Sequence, residues 1–69
     1  MKDKITIAID AMGGENSPDK SIEGLSIFFS KNEKLNNCFF NLYGDENLIL
    51  KKMRKFKLSN SNIKIFNTL

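Results

Sequence analysis

The fold of this chain is decided by residues 5–14, ITIAIDAMGG. Isoleucine alternates with small residues there, which is typical of a buried β-strand with one apolar face and one face slim enough for a helix to lie on it. Asp10 arrives where the strand should end, and the adjacent glycines after it permit backbone conformations that a Cβ would forbid. The stretch therefore predicts a buried strand that runs directly into an acidic, glycine-containing turn.

A helix-start signal follows the turn. Ser17 suits the N-cap, Pro18 suits the first helical position, and Asp19 is favoured at the positive end of the helix dipole. A strand, a glycine turn and a helix N-terminus in this order form anion sites in open α/β sheets. We therefore place the candidate functional site at this junction.

The rest of the chain continues the alternation of periods. Apolar positions predict helices near residues 18–31 and 46–57, and strands near residues 4–10, 38–43 and 62–66. Helical crossovers of this length join parallel strands. The predicted fold class is α/β, as the N-terminal βαβαβ half of a doubly wound, Rossmann-like parallel sheet that becomes a three-layer α/β/α structure in a full-length parent.

Single residues refine this prediction. Gly44 closes the second strand and Asp45 can cap the second helix. Gly24 should cost ~1 kcal/mol relative to alanine in a helix, so we interpret it as allowing close approach of the helix to a strand. Cys38 is interpreted as a small buried hydrophobe, because the chain has no histidine that would raise its thiolate fraction.

Bulk composition excludes several classes. The 69 residues allow one small domain, and the net charge of +3 comes without basic–aromatic interleaving, so a solvated lysine-rich face explains it better than nucleic-acid binding. With one cysteine and no histidine, neither an internal disulfide nor a structural zinc site is expected. No apolar run approaches the ~20 residues of a membrane span, and the N-terminus shows no signal peptide. The expected location is the cytoplasm.

Residues 7–15, IAIDAMGGE, followed by Ser17 and Pro18, resemble the opening of the phosphate acyltransferases of bacterial phospholipid synthesis, the PlsX family. Those proteins begin with a short strand that enters a D-x-M-G-G-D turn, with a proline just after it. Glu15 stands where the family usually has Asp. The match is close over roughly the first two dozen residues. Because family members are several times longer, residues 1–69 are expected to be one partial α/β domain, an N-terminal fragment.

The resemblance implies a function. Similar proteins move a fatty acyl group from acyl carrier protein onto inorganic phosphate, which gives acyl phosphate for phosphatidic acid synthesis. The resemblance also implies that the full-length parent uses no metal or nucleotide cofactor and forms a homodimer. It further implies peripheral membrane association through regions beyond this chain. The fragment alone is expected to be inactive and at best marginally folded.

The candidate site comprises Asp10, Gly13, Gly14 and Glu15, and no catalytic residue is identified. Part of an anion-binding site would be formed by Gly13, Gly14 and the helix start at residues 18–20. The carboxylates of Asp10 and Glu15 would instead repel phosphate. Asp10 either accepts hydrogen bonds from the amides of the turn or orients a substrate or catalytic group. Glu15 is either a solvated loop residue or part of the site.

Two other functional classes stay open. A dinucleotide-binding half-domain needs G-x-G-x-x-G, but this turn has adjacent glycines and no third one, while Asp45 mimics the ribose-binding acid. The second alternative is a non-catalytic interaction module, and only the lysines of the second helix support it.

Two helices on three strands should leave one sheet face or edge uncovered. The candidates for exposed apolar surface are Phe28, Phe29, Phe39, Phe40 and Phe66.

Overall fold

The computed structural model describes residues 3–14 and 17–68. These residues form three strands and two helices in strict alternation. The elements are β1 (Ile5–Asp10), α1 (Asp19–Lys31), β2 (Cys38–Gly44), α2 (Glu46–Lys55) and β3 (Ile63–Asn67). Their ends lie within two residues of the sequence prediction, so the alternation of strand and helix periodicity along the chain predicted the elements correctly.

The three strands form one parallel sheet in the order β1-β2-β3. Leu42 at the centre of β2 pairs with Ile9 of β1 on one side and Ile65 of β3 on the other. This arrangement confirms the predicted α/β class and the βαβαβ half of a Rossmann-like sheet.

The core lies between the helices and one face of the sheet. Its buried side chains come from β2, from both helices and from the flanking loops: Ala11, Ile22, Leu25, Phe40, Leu42, Ile49 and Leu58. Ile9 packs against this cluster, whereas Thr6 and Ala8 point to the opposite face and are exposed. The two helices therefore cover the isoleucine face, and within residues 3–14 and 17–68 no helix lies on the slim face. Burial of branched apolar side chains removes more area from water than burial of Thr and Ala.

The prediction that β1 is buried was wrong for most of its length. Ile5 is 48% exposed and Ile7 is 40% exposed. Among the described strands, β1 pairs only with β2, and the core is centred beneath β2. An alternating isoleucine pattern indicates that a strand can be buried, but it does not indicate whether helices or neighbouring strands cover its whole length.

The aromatic side chains divide between the two faces. Phe28, Phe29 and Phe40 meet edge to face with ring centroids 5.4–5.5 Å apart, and Phe40 is buried. Phe39 and Phe66 lie on the face away from the core and are half-buried. Phe28 and Phe29 are half-buried as well. The expected exposure is thus confirmed in part for the four half-buried rings, and it was wrong for Phe40.

Gly24 lies on the exposed side of α1. A Cβ built at this position would meet nothing within 4 Å. The interpretation that Gly24 allows close approach of helix and strand was therefore wrong. Cys38, in contrast, is half-buried and packs against the core, as predicted.

Candidate functional site

The turn after β1 is closed by Asp10. Its backbone carbonyl accepts from the Gly13 N–H at 3.3 Å, and its Oδ1 accepts from the Met12 N–H at 3.1 Å. The side chain therefore bonds the backbone two residues on, which is the structural interpretation of a turn Asp. A direct contact of Asp10 with a substrate or catalytic group stays a prediction.

The two glycines of the turn differ in what they permit. Gly14 has φ +85°, a left-handed conformation that L side chains rarely adopt. A Cβ at Gly13 would lie 3.1 Å from Oδ2 of Asp10, tight enough to disturb the carboxylate. Gly14 is thus required for the left-handed backbone conformation of the turn. Gly13 is required because a larger residue would crowd the Asp10 carboxylate.

Ser17 closes the other end of the turn. Its hydroxyl donates to the carbonyl oxygen of Gly13, and α1 begins only at Asp19, with Pro18 at the N-cap. The prediction that Ser17 caps the helix was wrong, because its hydroxyl is used within the turn.

The start of α1 has backbone amides without a side-chain cap. Pro18 has no side-chain acceptor, and within the described residues no side chain caps this helix end. The first intrahelical bond runs from the Ile22 N–H to the Pro18 carbonyl at 3.0 Å. The amides of the first turn therefore point away from the helix, in the direction in which helix N-termini bind anions.

The carboxylate in this first turn is neutralised from α2. Asp19 lies 3.1 Å from Lys52 Nζ and 3.1 Å from Lys55 Nζ. Hydrogen bonds from Lys55 and Lys52 hold the pKa of Asp19 below its usual range. The ion pairs join the beginning of α1 to the second half of α2, and Asp19 with its two lysines carries a net positive charge.

Two residues beside Asp10 at the carboxyl ends of the strands were not identified from the sequence, Tyr43 and Phe66. Tyr43 pairs with Asp10 on one side and with Phe66 on the other, so all three lie in one row at the carboxyl ends of the strands. The rings of Tyr43 and Phe66 stack with centroids 4.9 Å apart. Ligands of open parallel sheets bind at this edge. The alignment of these three residues follows from the register between the strands, which the sequence pattern does not predict.

The remaining predicted site residue, Glu15, lies outside the described residues. Across residues 3–14 and 17–68, no cluster of three His, Cys, Asp or Glu side chains is placed to hold a metal ion. Neither helix of that part of the chain is long and apolar enough to cross a membrane.

A parallel βαβαβ sheet with a glycine turn before its first helix defines the class: an α/β protein whose described strands form half of a Rossmann-like sheet. The chain is 43% identical over 63 residues to a phosphate acyltransferase of Oenococcus oeni, a match that covers 91% of this chain and 17% of the relative. Phosphate acyltransferases of Ehrlichia ruminantium and Pelagibacter ubique are 36% and 37% identical over 64 and 59 residues, covering 93% and 86% of the chain but 19% and 17% of the relatives. No protein-family model matches the chain.

The resemblance drawn from the DAMGGE turn is therefore confirmed: over most of its length, the chain is similar to phosphate acyltransferases. It spans less than a fifth of the length of these curated relatives.

Proposed function

We propose that this chain is a βαβαβ portion of a phosphate acyltransferase. The parent protein transfers a fatty acyl group from the thioester of acyl carrier protein to inorganic phosphate. A phosphate oxygen forms a bond to the thioester carbonyl carbon, the carbon–sulfur bond breaks, and the carrier thiol and acyl phosphate leave. The observation that carries this proposal is the 43% identity to a phosphate acyltransferase across 91% of the chain.

The start of α1 supports a role in holding phosphate. The reaction needs an anion fixed beside a carbonyl and donors for the developing oxyanion. The first-turn amides of α1 are not capped by Pro18, and Lys52 and Lys55 compensate the charge of Asp19. The repulsion of phosphate by Asp19 is thus reduced, whereas the repulsion expected from Asp10 and Glu15 stays a prediction.

The glycine turn supports the site indirectly. The Met12 and Gly13 amides both donate to Asp10, so they hold the shape of the turn and do not face an anion. We assign Asp10 to fixing the turn, and Gly14 to directing the chain toward α1.

The remaining features of the proposal concern the parent protein. We propose that it acts in the cytoplasm in phospholipid synthesis, as a homodimer that associates peripherally with the membrane. The catalytic residues, the acyl-chain pocket and the dimer contacts then lie in the four-fifths of the relatives' length that this chain does not span.

A chimera tests the function. The 63 residues of this chain that match the Oenococcus oeni protein replace their counterparts there, and acyl phosphate formation from acyl carrier protein thioester and phosphate is measured. We expect activity within about tenfold of the parent enzyme, a barrier change of ~1.4 kcal/mol or less. A matched protein lacking this portion should be inactive. A folded chimera that forms no acyl phosphate contradicts the proposal, and NAD reduction instead would favour a dinucleotide-binding protein.

A further inference from the structure

Gly44, the last residue of β2, has no room for a side chain. A Cβ at this position would lie 2.6 Å from Cγ and 3.1 Å from Sδ of Met12, and 3.2 Å from Cδ1 of Ile49. A separation of 2.6 Å is far inside van der Waals contact. The Met12 side chain therefore occupies the space that any other residue at position 44 would fill.

The backbone of Gly44 is fixed on both sides. Its carbonyl accepts from the Thr68 N–H at 3.0 Å, and the adjacent Tyr43 carbonyl accepts from the Ala11 N–H at 3.0 Å. Gly44 is also buried. An added side chain would thus displace Met12, which is 38% exposed, before it displaced the strand.

Met12 is the centre of the turn that contains the candidate site. Its amide donates to Oδ1 of Asp10, and the next amide, of Gly13, donates to the Asp10 carbonyl. Because the side chain and this amide belong to one residue, displacement of the Met12 side chain strains the bond from the Met12 amide to Asp10 and, through the Met12–Gly13 peptide, the neighbouring bond from the Gly13 amide.

We infer that Gly44 is a positioning residue for the site. Because Gly44 has no side chain, it leaves a space that the Met12 side chain fills, and we call this space the seat of Met12. Met12 in its seat holds the turn from Asp10 to Gly14 against the end of the sheet and the start of α2. The consequence for phosphate binding rests on the proposed function, whereas the seat itself rests on distances alone.

A double-mutant cycle in the chimera described above tests this inference. The variants are Gly44→Ala, Met12→Ala and the double variant, with Gly24→Ala as the control because a Cβ there meets nothing within 4 Å. We expect Gly44→Ala to raise KM for phosphate about tenfold to hundredfold, since small misplacements near a reaction have effects of that size. In the Met12→Ala background the same change should alter KM little, which is the non-additivity of contacting residues. The control should leave KM unchanged.

Hydrogen exchange of the Met12 amide gives a second readout that does not need activity. Gly44→Ala should speed this exchange, and adding Met12→Ala should remove the effect of position 44 on the neighbouring Gly13 amide. If Gly44→Ala alone fails to fold, recovery of folded protein in the double variant supports the seat, and no recovery overturns it. Additive effects of the two changes, or an unchanged turn in Gly44→Ala, would also overturn it. An inactive chimera with the expected exchange pattern would count against the proposed function alone.

Discussion

The two strand-to-helix junctions of this chain lie at the same edge of the sheet but are built differently. Between β2 and α2 there is one residue, Asp45, whose Oδ1 accepts from the Leu48 N–H at 3.3 Å. Between β1 and α1 there are eight, residues 11–18, and the N-cap is Pro18, which has no side-chain acceptor. At the short junction Asp45 caps one amide of α2, and Asn67 at the end of β3 accepts from the Glu46 N–H. At the long junction the hydrogen bonds of the described residues, 11–14 and 17–18, fix the shape of the turn and do not cap the first amides of α1.

We therefore propose that the short junction contributes mainly to stability and the long one to ligand binding. Ile49, in the first turn of α2, is fully buried, while Met12 in the middle of the long junction is 38% exposed between the buried Ala11 and Pro18. The predictions below test this division, beginning with the change expected to have the largest effect.

Ile49→Ala should unfold the region around the short junction. Truncation of a fully buried isoleucine costs about 2–5 kcal/mol, which is a large share of the stability of a small domain. Urea unfolding of the chimera, followed by hydrogen exchange of the β2 amides, measures the loss. Met12→Ala is the matched control at the long junction and should cost less. Equal losses would contradict the division.

Gly14→Val should damage the long junction selectively. A β-branched residue at φ +85° is strained by about 1–3 kcal/mol, and the strain falls on the path into α1. We expect acyl phosphate formation to drop more than the unfolding midpoint does. Val at position 24, which is also exposed, controls for the side chain itself. Comparable activity in both variants would show that the turn has no special role.

Asp45→Ala should weaken α2 by about 1 kcal/mol, the usual cost of losing an N-cap. Asp45→Asn keeps an acceptor and should retain most of the stability. The free energy of unfolding from urea titration measures both. Since Asp45 also resembles a ribose-binding acid in sequence, a change of substrate preference toward nucleotides would contradict its assignment as a cap.

Gly24→Ala should stabilise the protein by about 0.5–1 kcal/mol, because alanine loses less backbone entropy in a helix interior. Nothing lies within 4 Å of the added Cβ. A lowered unfolding midpoint would mean that another part of the protein packs against this face of α1.

Asp19 should produce the smallest effect, seen as a pH dependence. Its folded-state pKa is lowered by Lys55 and Lys52, so the ion pairs stabilise the fold above the unfolded pKa of Asp19, near 3.8. That stabilisation is lost as the pH falls through the lower folded value. Asp19→Asn should remove this acidic slope from the unfolding curve and leave neutral pH nearly unchanged, because exposed ion pairs contribute little. A large loss at neutral pH would contradict this assignment.

The fold and the short junction were readable from the sequence, because both depend on local patterns. Periodicity located all five elements, and the Asp45 cap depends only on the residue that precedes the helix. The face on which the helices pack and the seat of Met12 on Gly44 depend on which strand positions pair across the sheet. Ser17 failed as a cap for a similar reason, since its hydroxyl bonds Gly13 along a loop path that no pattern encodes. The predicted segment forms the expected turn, its role as a functional site stays a prediction, and its neighbours Tyr43 and Phe66 were not foreseen.

The stack of Tyr43 on Phe66 gives the molecule an optical label. The chain has one tyrosine and no tryptophan, and this phenol is held at 12° to the Phe66 ring. A rigid phenol in an asymmetric surrounding has a near-ultraviolet circular dichroism band, and that band disappears when fixed packing is lost. In the chain itself the tyrosine signal comes from a single place, where β2 and β3 end beside Asp10. Binding at that edge, or separation of the two strands, can thus be followed without adding a dye.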